Sequence, residues 1–255
     1  MMNKTIISNI PTIWIEPENT VQKKIVIWLP GFSGTKEAME PQLRDLAKAG
    51  FIGLSFDPHQ HGERQIESLD ELRARVVGNI RRYFWPILAQ TAEEVPTIID
   101  WAMAELGVDS AVGMGGISMG GDISVAAAGV DQRICAVTAC IATPDWMRPG
   151  SFEPPGEPDD GAQACYDRRN PLTHLELYAH NPAISFQCGA DDQQVPPDGA
   201  QRFMAALQKQ YGADRPVDVT LHANVPHSFT PAMWANCVDW FTHTMHDAQT
   251  APTVH

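Results

Sequence analysis

Short apolar runs alternate along the chain with longer stretches whose apolar residues recur at helical spacing, the pattern of a βαβ sheet protein. Lys24–Leu29 (KIVIWL) predicts a buried strand that Pro30-Gly31 ends, and residues 37–49 form a helical pattern that stops at Gly50. Phe51–Phe56 predicts the next strand, closed by Asp57-Pro58. Residues 69–106 carry helical periodicity interrupted at Pro86 and Pro96, which predicts two or three helices. Residues 111–116 predict a short strand, and the Ala- and Gly-rich stretch 119–129 predicts a closely packed helix. Further strands are expected over 134–142, 183–188 and Val217–His222, with helices over Asp198–Tyr211 and 231–245. Residues 248–255 read as a frayed tail, and no internal repeat is present.

One segment breaks the alternation. Residues 143–181 open with Pro149-Gly150, Pro154-Pro155-Gly156 and Pro158-Asp159-Asp160-Gly161, then turn helical near 172–178. Loops of this length inside a compact domain are usually functional. The expectation is a small cap or pocket wall inserted into a single domain spanning 1–255, not a second domain.

Composition narrows the function classes. The 255 residues hold 18 Lys and Arg against 31 Asp and Glu, a formal charge of −13. That balance argues against a nucleic-acid partner and against docking on anionic lipid, both of which need basic patches. The five cysteines are odd in number, and no pair stands at Cys-x-x-Cys spacing. Neither a disulfide framework nor a zinc site is suggested; buried free thiols in a reducing compartment are the plain reading. The first fifteen residues lack the continuous apolar core of a secretory signal, and no run reaches membrane-helix length. A cytoplasmic location is therefore expected.

The candidate chemistry lies in three motifs. Gly116-Ile117-Ser118-Met119-Gly120 follows an apolar strand run and opens the Ala-rich helix. A serine on a sharp strand-to-helix turn needs small neighbours, and the helix N-terminus points free N–H groups at a developing oxyanion. A serine hydroxyl attacks only when a base removes its proton, so a histidine and an orienting acid should follow in the order Ser, acid, His. Gly189-Ala190-Asp191-Asp192-Gln193-Gln194-Val195-Pro196 comes directly after a strand and offers two carboxylates, of which Asp192 is favoured over Asp191. His227, in Asn224-Val225-Pro226-His227-Ser228-Phe229, lies between the last strand and the last helix and supplies the base. Two backbone donors for an oxyanion are expected at Met119 and, in the turn after the first long strand, at Phe32. Phe32 and Trp146 are expected to border the bound substrate, with Met119 beside them, because their loops adjoin Ser118.

Together these motifs resemble the α/β-hydrolase superfamily. Within it the chain is most similar to small bacterial carboxylesterases related to dienelactone hydrolases and to the prolyl oligopeptidase catalytic domain. The stretch Phe56-Asp57-Pro58-His59-Gln60-His61-Gly62-Glu63-Arg64 adds to the likeness, resembling the Asp-x-x-x-His-Gly-x-Arg loop of those esterases. The likeness runs from about residue 25 to 241. It implies an α/β fold with a mostly parallel central sheet, helices on both faces and a small cap insertion. It further implies a loop-fixing role for His61 rather than a metal site with His59. Two departures stand out: Pro30-Gly31 replaces the usual His-Gly, and the nucleophile is Ser118 where dienelactone hydrolases carry Cys.

The resulting expectation is a serine hydrolase in which Ser118, Asp192 and His227 cleave a small-molecule ester with no cofactor or metal. A thioesterase or small serine peptidase is the nearest alternative, and a non-catalytic binding protein on the same fold is the alternative of another class. Trp85, Trp101 and Trp240 sit in helical stretches and are expected in the core. The oligomeric state stays open, a homodimer included.

Overall fold

The computed structural model describes residues 1–18 and 23–246; the tail anticipated as frayed lies outside the described residues. Eight strands make one sheet: β1 Met2–Ile7, β2 Ile10–Ile15, β3 Lys24–Leu29, β4 Phe51–Phe56, β5 Val112–Ile117, β6 Ile134–Cys140, β7 Ala183–Gly189 and β8 Val217–His222. Their spatial order is β1-β2-β4-β3-β5-β6-β7-β8, with β2 antiparallel to both neighbours and every pairing from β4 to β8 parallel. The helices are α1 Glu40–Lys48, α2 Leu69–Gly78, α3 Ile80–Trp101, α4 Met119–Ala128, α5 Asp160–Arg169, α6 Asp198–Tyr211 and α7 Pro231–His246.

The KIVIWL strand shows why both faces are covered. Side chains alternate across a sheet, so a strand apolar at every position must be buried twice. Ile25, Ile27 and Leu29 belong to the core cluster on one face, which includes residues of α3 and α4, whereas Val26 and Trp28 belong to the cluster on the other face with Leu43 and Leu46 of α1 and Met233, Cys237 and Phe241 of α7.

Three elements differ from the sequence expectation. The N-terminal hairpin β1–β2 was not foreseen; it turns through Ser8 and Asn9, both at positive φ, a two-residue turn suited to a hairpin's twist. The break in residues 69–106 falls at Asn79, between α2 and α3, and α3 runs through both Pro86 and Pro96. Each proline removes one intrahelical bond, and the long apolar face of α3, from Ile80 to Ile99, outweighs that loss by burial. In the insertion after β6, the α-helix is α5, which Asp159 caps through its bond from the Ala162 N–H; residues 171–173 and 175–178 form only single tight turns. Only Ala162 and Cys165 of α5 are buried, so its sequence carries too few apolar residues to announce a helix by period.

A buried ion pair fixes the loops at one end of the sheet. Asp57, at the end of β4, has no solvent exposure and accepts bonds from the Lys36 N–H (3.0 Å), Lys36 Nζ (2.8 Å) and the Glu63 N–H (3.0 Å). Burial alone would lower the Lys36 pKa, but hydrogen bonds to Asp57, Glu37 and Glu63 hold it well above its ordinary range. Gly62 has φ +55°, and a Cβ there would lie 2.2 Å from the Asp57 carboxylate, so only glycine fits. Beside it, buried His61 donates Nδ1–H to the His59 carbonyl (2.9 Å) and meets the Phe32 ring edge-on at 5.4 Å. This agrees with a loop-fixing part for His61, and no group of residues suited to a metal ion occurs among the described residues.

Two outcomes are expected. Lys36→Met leaves the Asp57 carboxylate buried and unpaired, which should cost roughly 3–5 kcal/mol in urea unfolding. Burial holds the His61 pKa below its ordinary value; burial does the same for His59 and His180. The unfolded chain binds these protons first, so stability falls as pH drops below about 6.5 and keeps falling to the folded-state values. Melting temperature should therefore decline from pH 7.5 to 5.5, and less steeply in His61→Phe; an equal slope in that variant would remove His61 from the account.

Candidate active site

Ser118 links β5 to α4 at φ 51°, ψ −114°, a conformation costly for a non-glycine residue by about 1–3 kcal/mol. Its N–H donates to the Cys140 carbonyl on neighbouring β6 (2.8 Å), and its carbonyl accepts the Asp122 N–H (3.0 Å), so sheet and helix both hold the turn. The surrounding glycines are sterically required. A Cβ at Gly116 would lie 2.5 Å from the Gly120 backbone, and one at Gly120 would lie 2.4 Å from the Leu29 carbonyl oxygen.

Three loops converge on this turn from separate strands. His227, after β8, places Nε2 3.0 Å from Ser118 Oγ. Its Nδ1 lies 2.7 Å from Asp192 Oδ2, on the loop after β7. With the Nδ1 proton donated to Asp192, Nε2 is the acceptor for the serine hydroxyl. The choice between adjacent carboxylates is resolved by burial: Asp191 is exposed, whereas Asp192 is buried and accepts the Gln194 N–H (3.0 Å) and Val195 N–H (2.8 Å) on Oδ1. Those two bonds fix the carboxylate's rotation and leave Oδ2 for the imidazole.

The turn after β3 lies against the serine. The point where a Gly31 Cβ would stand is 3.7 Å from Ser118 Cβ and 3.4 Å from the Ile117 carbonyl oxygen. Gly34 N–H donates to the Gly31 carbonyl (2.9 Å) and closes the turn; among the described residues neither the Phe32 N–H nor, at the start of α4, the Met119 N–H has a partner. Phe32 is half-buried, its ring edge-on to Phe84 at 5.6 Å, while the Met119 side chain is fully buried.

Trp146 lies in the arm that follows β6 and is buried. Its indole is 1% exposed and its backbone is held by the Asn170 side chain (2.8 Å) and the Trp85 indole N–H (2.9 Å). Buried in this way, Trp146 holds the insertion onto α3 and also contributes to the lining of a neighbouring cavity. Beside it, between the start of α3 and residues 146–155, lies a cavity of about 180 Å³ lined in part by Arg81, Arg148 and Glu153. Neither Ser118 nor His227 lines it. Trp85 is core as expected, and Trp101 and Trp240 are partly buried.

The sequence reading missed Arg148 and Asp122. Asp122, 0% exposed on α4, accepts Arg148 Nη2 at 2.6 Å, and Arg148 Nη1 donates to Glu153 at 3.0 Å. Burial opposes the charge on Arg148, but Asp122 and Glu153 hold its pKa above the ordinary value. An aspartate four residues after the serine was the one available signal. The cysteines are all free, and burial raises the thiols of Cys135, Cys140 and Cys165 and pushes Cys188 up to about 12, so none of these four is poised as a nucleophile. Among the described residues no helix is long and apolar enough to cross a membrane.

Comparison with known proteins places this geometry. An Escherichia coli protein described as "Uncharacterized 31.7 kDa protein in traX-finO intergenic region" is 26% identical over 152 residues, 59% of this chain and 46% of its own length. The chain thus matches under half the length of that relative. A Bacillus subtilis protein named "Putative esterase YitV" is 24% identical, with 94% of this chain and 96% of its own covered. Among solved structures, TT1662 from Thermus thermophilus superposes with a TM-score of 0.76 at 22% identity, covering 95% of this chain and 97% of its own. A "Putative Dienelactone Hydrolase" from Klebsiella pneumoniae gives 0.68 at 17% identity, covering 94% and 98%. The acylaminoacyl peptidase of Pyrococcus horikoshii gives 0.70 at 14% identity, covering all of this chain but 42% of its own. The structural likenesses carry the fold, and the family model for the alpha/beta hydrolase fold matches residues 24–170, more than half of the chain; the protein belongs to the α/β-hydrolase family.

Proposed function

We propose that the protein is a serine hydrolase that cleaves small carboxylic esters through an acyl-enzyme intermediate. The observation that carries this reading is the unbroken chain from Ser118 Oγ to His227 Nε2 and from His227 Nδ1 to Asp192. Three loops that share no local sequence meet there, with the serine held at positive φ on a helix N-terminus. Structural polar clusters have no need for a nucleophile in that strained position.

In the first step His227 takes the Ser118 proton as Oγ attacks the acyl carbonyl, and the tetrahedral oxyanion rests on the Phe32 and Met119 N–H groups. Asp192 holds the imidazole in the required tautomer and stabilises its cation. His227 then protonates the departing alcohol, activates water and releases the acid. Phe32, packed between His61 and Phe84, forms the wall closest to the reacting carbonyl. The formal charge of −13 suits a neutral ester more than an anionic polymer. The "esterase" in the name of the B. subtilis relative, which matches nearly the whole chain, agrees with this substrate class.

Hydrolysis of p-nitrophenyl esters from acetate to decanoate is the direct test, with Ser118→Ala and His227→Ala beside wild type. Wild type should turn over the short esters, and each variant should lose on the order of 10⁴-fold or more in kcat. Activity retained in Ser118→Ala would overturn the assignment of the nucleophile. A well-folded wild type inert toward every ester would overturn the ester reading.

A further inference from the structure

Arg148 is a buried charged group that the mechanism above does not use. Arg148 lies in the arm that leaves β6, at φ 47°, with its side chain almost wholly enclosed and its guanidinium 5.0 Å above the Phe84 ring. Long charged side chains are buried only when paired, and a buried pair by itself contributes little net stability. What distinguishes this one is what it joins.

The bonds can be followed in a circuit. Arg148 Nη2 donates to Asp122 Oδ2 (2.6 Å), and Asp122, whose N–H bonds the Ser118 carbonyl (3.0 Å), sits in the first turn of α4. Asp122 Oδ1 accepts the Thr143 N–H (2.7 Å), which ties the root of the arm to the same helix. On its other side Arg148 Nη1 donates to Glu153 Oε2 (3.0 Å), and Glu153 Oε1 accepts Gln194 Nε2 (2.9 Å). The Gln194 N–H donates to Asp192 Oδ1 (3.0 Å), and Asp192 Oδ2 holds His227, which reaches Ser118. The ring closes on the serine from which it began. Two further bonds lash the arm to the acid loop: Ser151 Oγ to the Gln194 carbonyl (2.8 Å) and the Phe152 N–H to the Gln193 carbonyl (3.1 Å).

We infer that Arg148 is a positioning residue for the Ser118–His227–Asp192 chain, acting through Asp122 on the serine side and through Glu153 and Gln194 on the acid side. The inference rests on the serine-hydrolase reading for its kinetic consequences but not for its geometry. The serine turn is anchored in β5 and α4, the acid in a loop beyond β7, and the histidine in a loop beyond β8. The β5–β6–β7 ladder spaces the strand ends from which these loops spring. Among the described residues no direct bond runs from the serine turn to the acid loop, so beyond the strand ends the two are tied only through the groups that span them. Arginine suits the span because its planar fork can donate to two carboxylates at once, whereas lysine presents a compact point charge. The arm is thereby a strut that fixes the geometry of the site.

Gln194→Ala tests this most cleanly, because it cuts the ring without changing any charge and leaves the Gln194 N–H on Asp192. Arg148→Met and Arg148→Lys should be made alongside. Gln194→Ala is expected to lower kcat on a short p-nitrophenyl ester on the order of 10- to 100-fold, as small misplacements of catalytic groups do, with KM nearly unchanged. Arg148→Met should lose more, and Arg148→Lys should recover part of that loss. Proton NMR supplies a readout independent of turnover: the far-downfield signal of the proton between His227 and Asp192 should broaden or vanish in Gln194→Ala while the fold is retained. If wild type cleaves no ester, the ester reading fails, and the NMR signal alone still decides the positioning role. A Gln194→Ala protein with both wild-type kcat and an unaltered downfield proton would overturn the inference. So would a loss of kcat that tracks only the unfolded fraction with that proton unchanged.

Discussion

The distance between the start of α4 and the end of β3 governs the rest of this molecule. Gly120 approaches the Leu29 carbonyl so closely that a Cβ would stand 2.4 Å from its oxygen, and Gly116 approaches Gly120 almost as closely. Only a backbone stripped of side chains packs at that separation. Because strand and helix are pressed together there, the connecting residue must turn within one position, and Ser118 accepts a positive φ to do so. The bond from the Ser118 N–H to Cys140 on β6 then offsets part of the strain with sheet hydrogen bonding. From this constraint follows the placing of Ser118 at the N-terminus of α4, where its hydroxyl meets His227.

Charge buried at the ends of the strands sets the loops around that turn. Asp57 is neutralised by Lys36 and by two backbone N–H groups, which joins the β4 loop to the turn carrying Phe32. Asp122 is neutralised by Arg148, which joins α4 to the insertion after β6. In both places a carboxylate without exposure stands beside one long cation, and the pair spans segments distant in sequence. Such pairs add little to stability, since desolvation offsets most of their attraction. They do restrict the loops to one arrangement, because any other would leave a charge in the core unpaired. The turn after β3 on one side and the loop after β7 on the other are thus held by ionic contacts, while the Ser118 turn is packed by its glycines.

The insertion after β6 is tied to the body of the fold along its first stretch. It has the length and composition of a lid, yet Trp146 is sunk into the core beneath it and α5 packs along α3. Its first stretch is bonded to α4 at Thr143 and to the acid loop at Ser151 and Phe152. A segment so tied is fixed to both α4 and the loop after β7.

The alternation of apolar runs determined the class of fold, because a parallel strand buried on both faces has to be apolar at every position, as KIVIWL is. Local spacing likewise determined Ser118, since the glycines around it answer to a steric demand made within a few residues. His227 and the pair Asp191-Asp192 were legible as strand-end groups in the right chain order. Tertiary structure alone decided between the two aspartates, because the choice depends on which one is buried and held by the Gln194 and Val195 N–H groups. It also carried α3 through two prolines and made Trp146 a core residue. Arg148 was invisible along the chain for the same reason: its partners, Asp122 and Glu153, stand 26 and 5 residues away, and no local period links a side chain to contacts that only the folded sheet brings together.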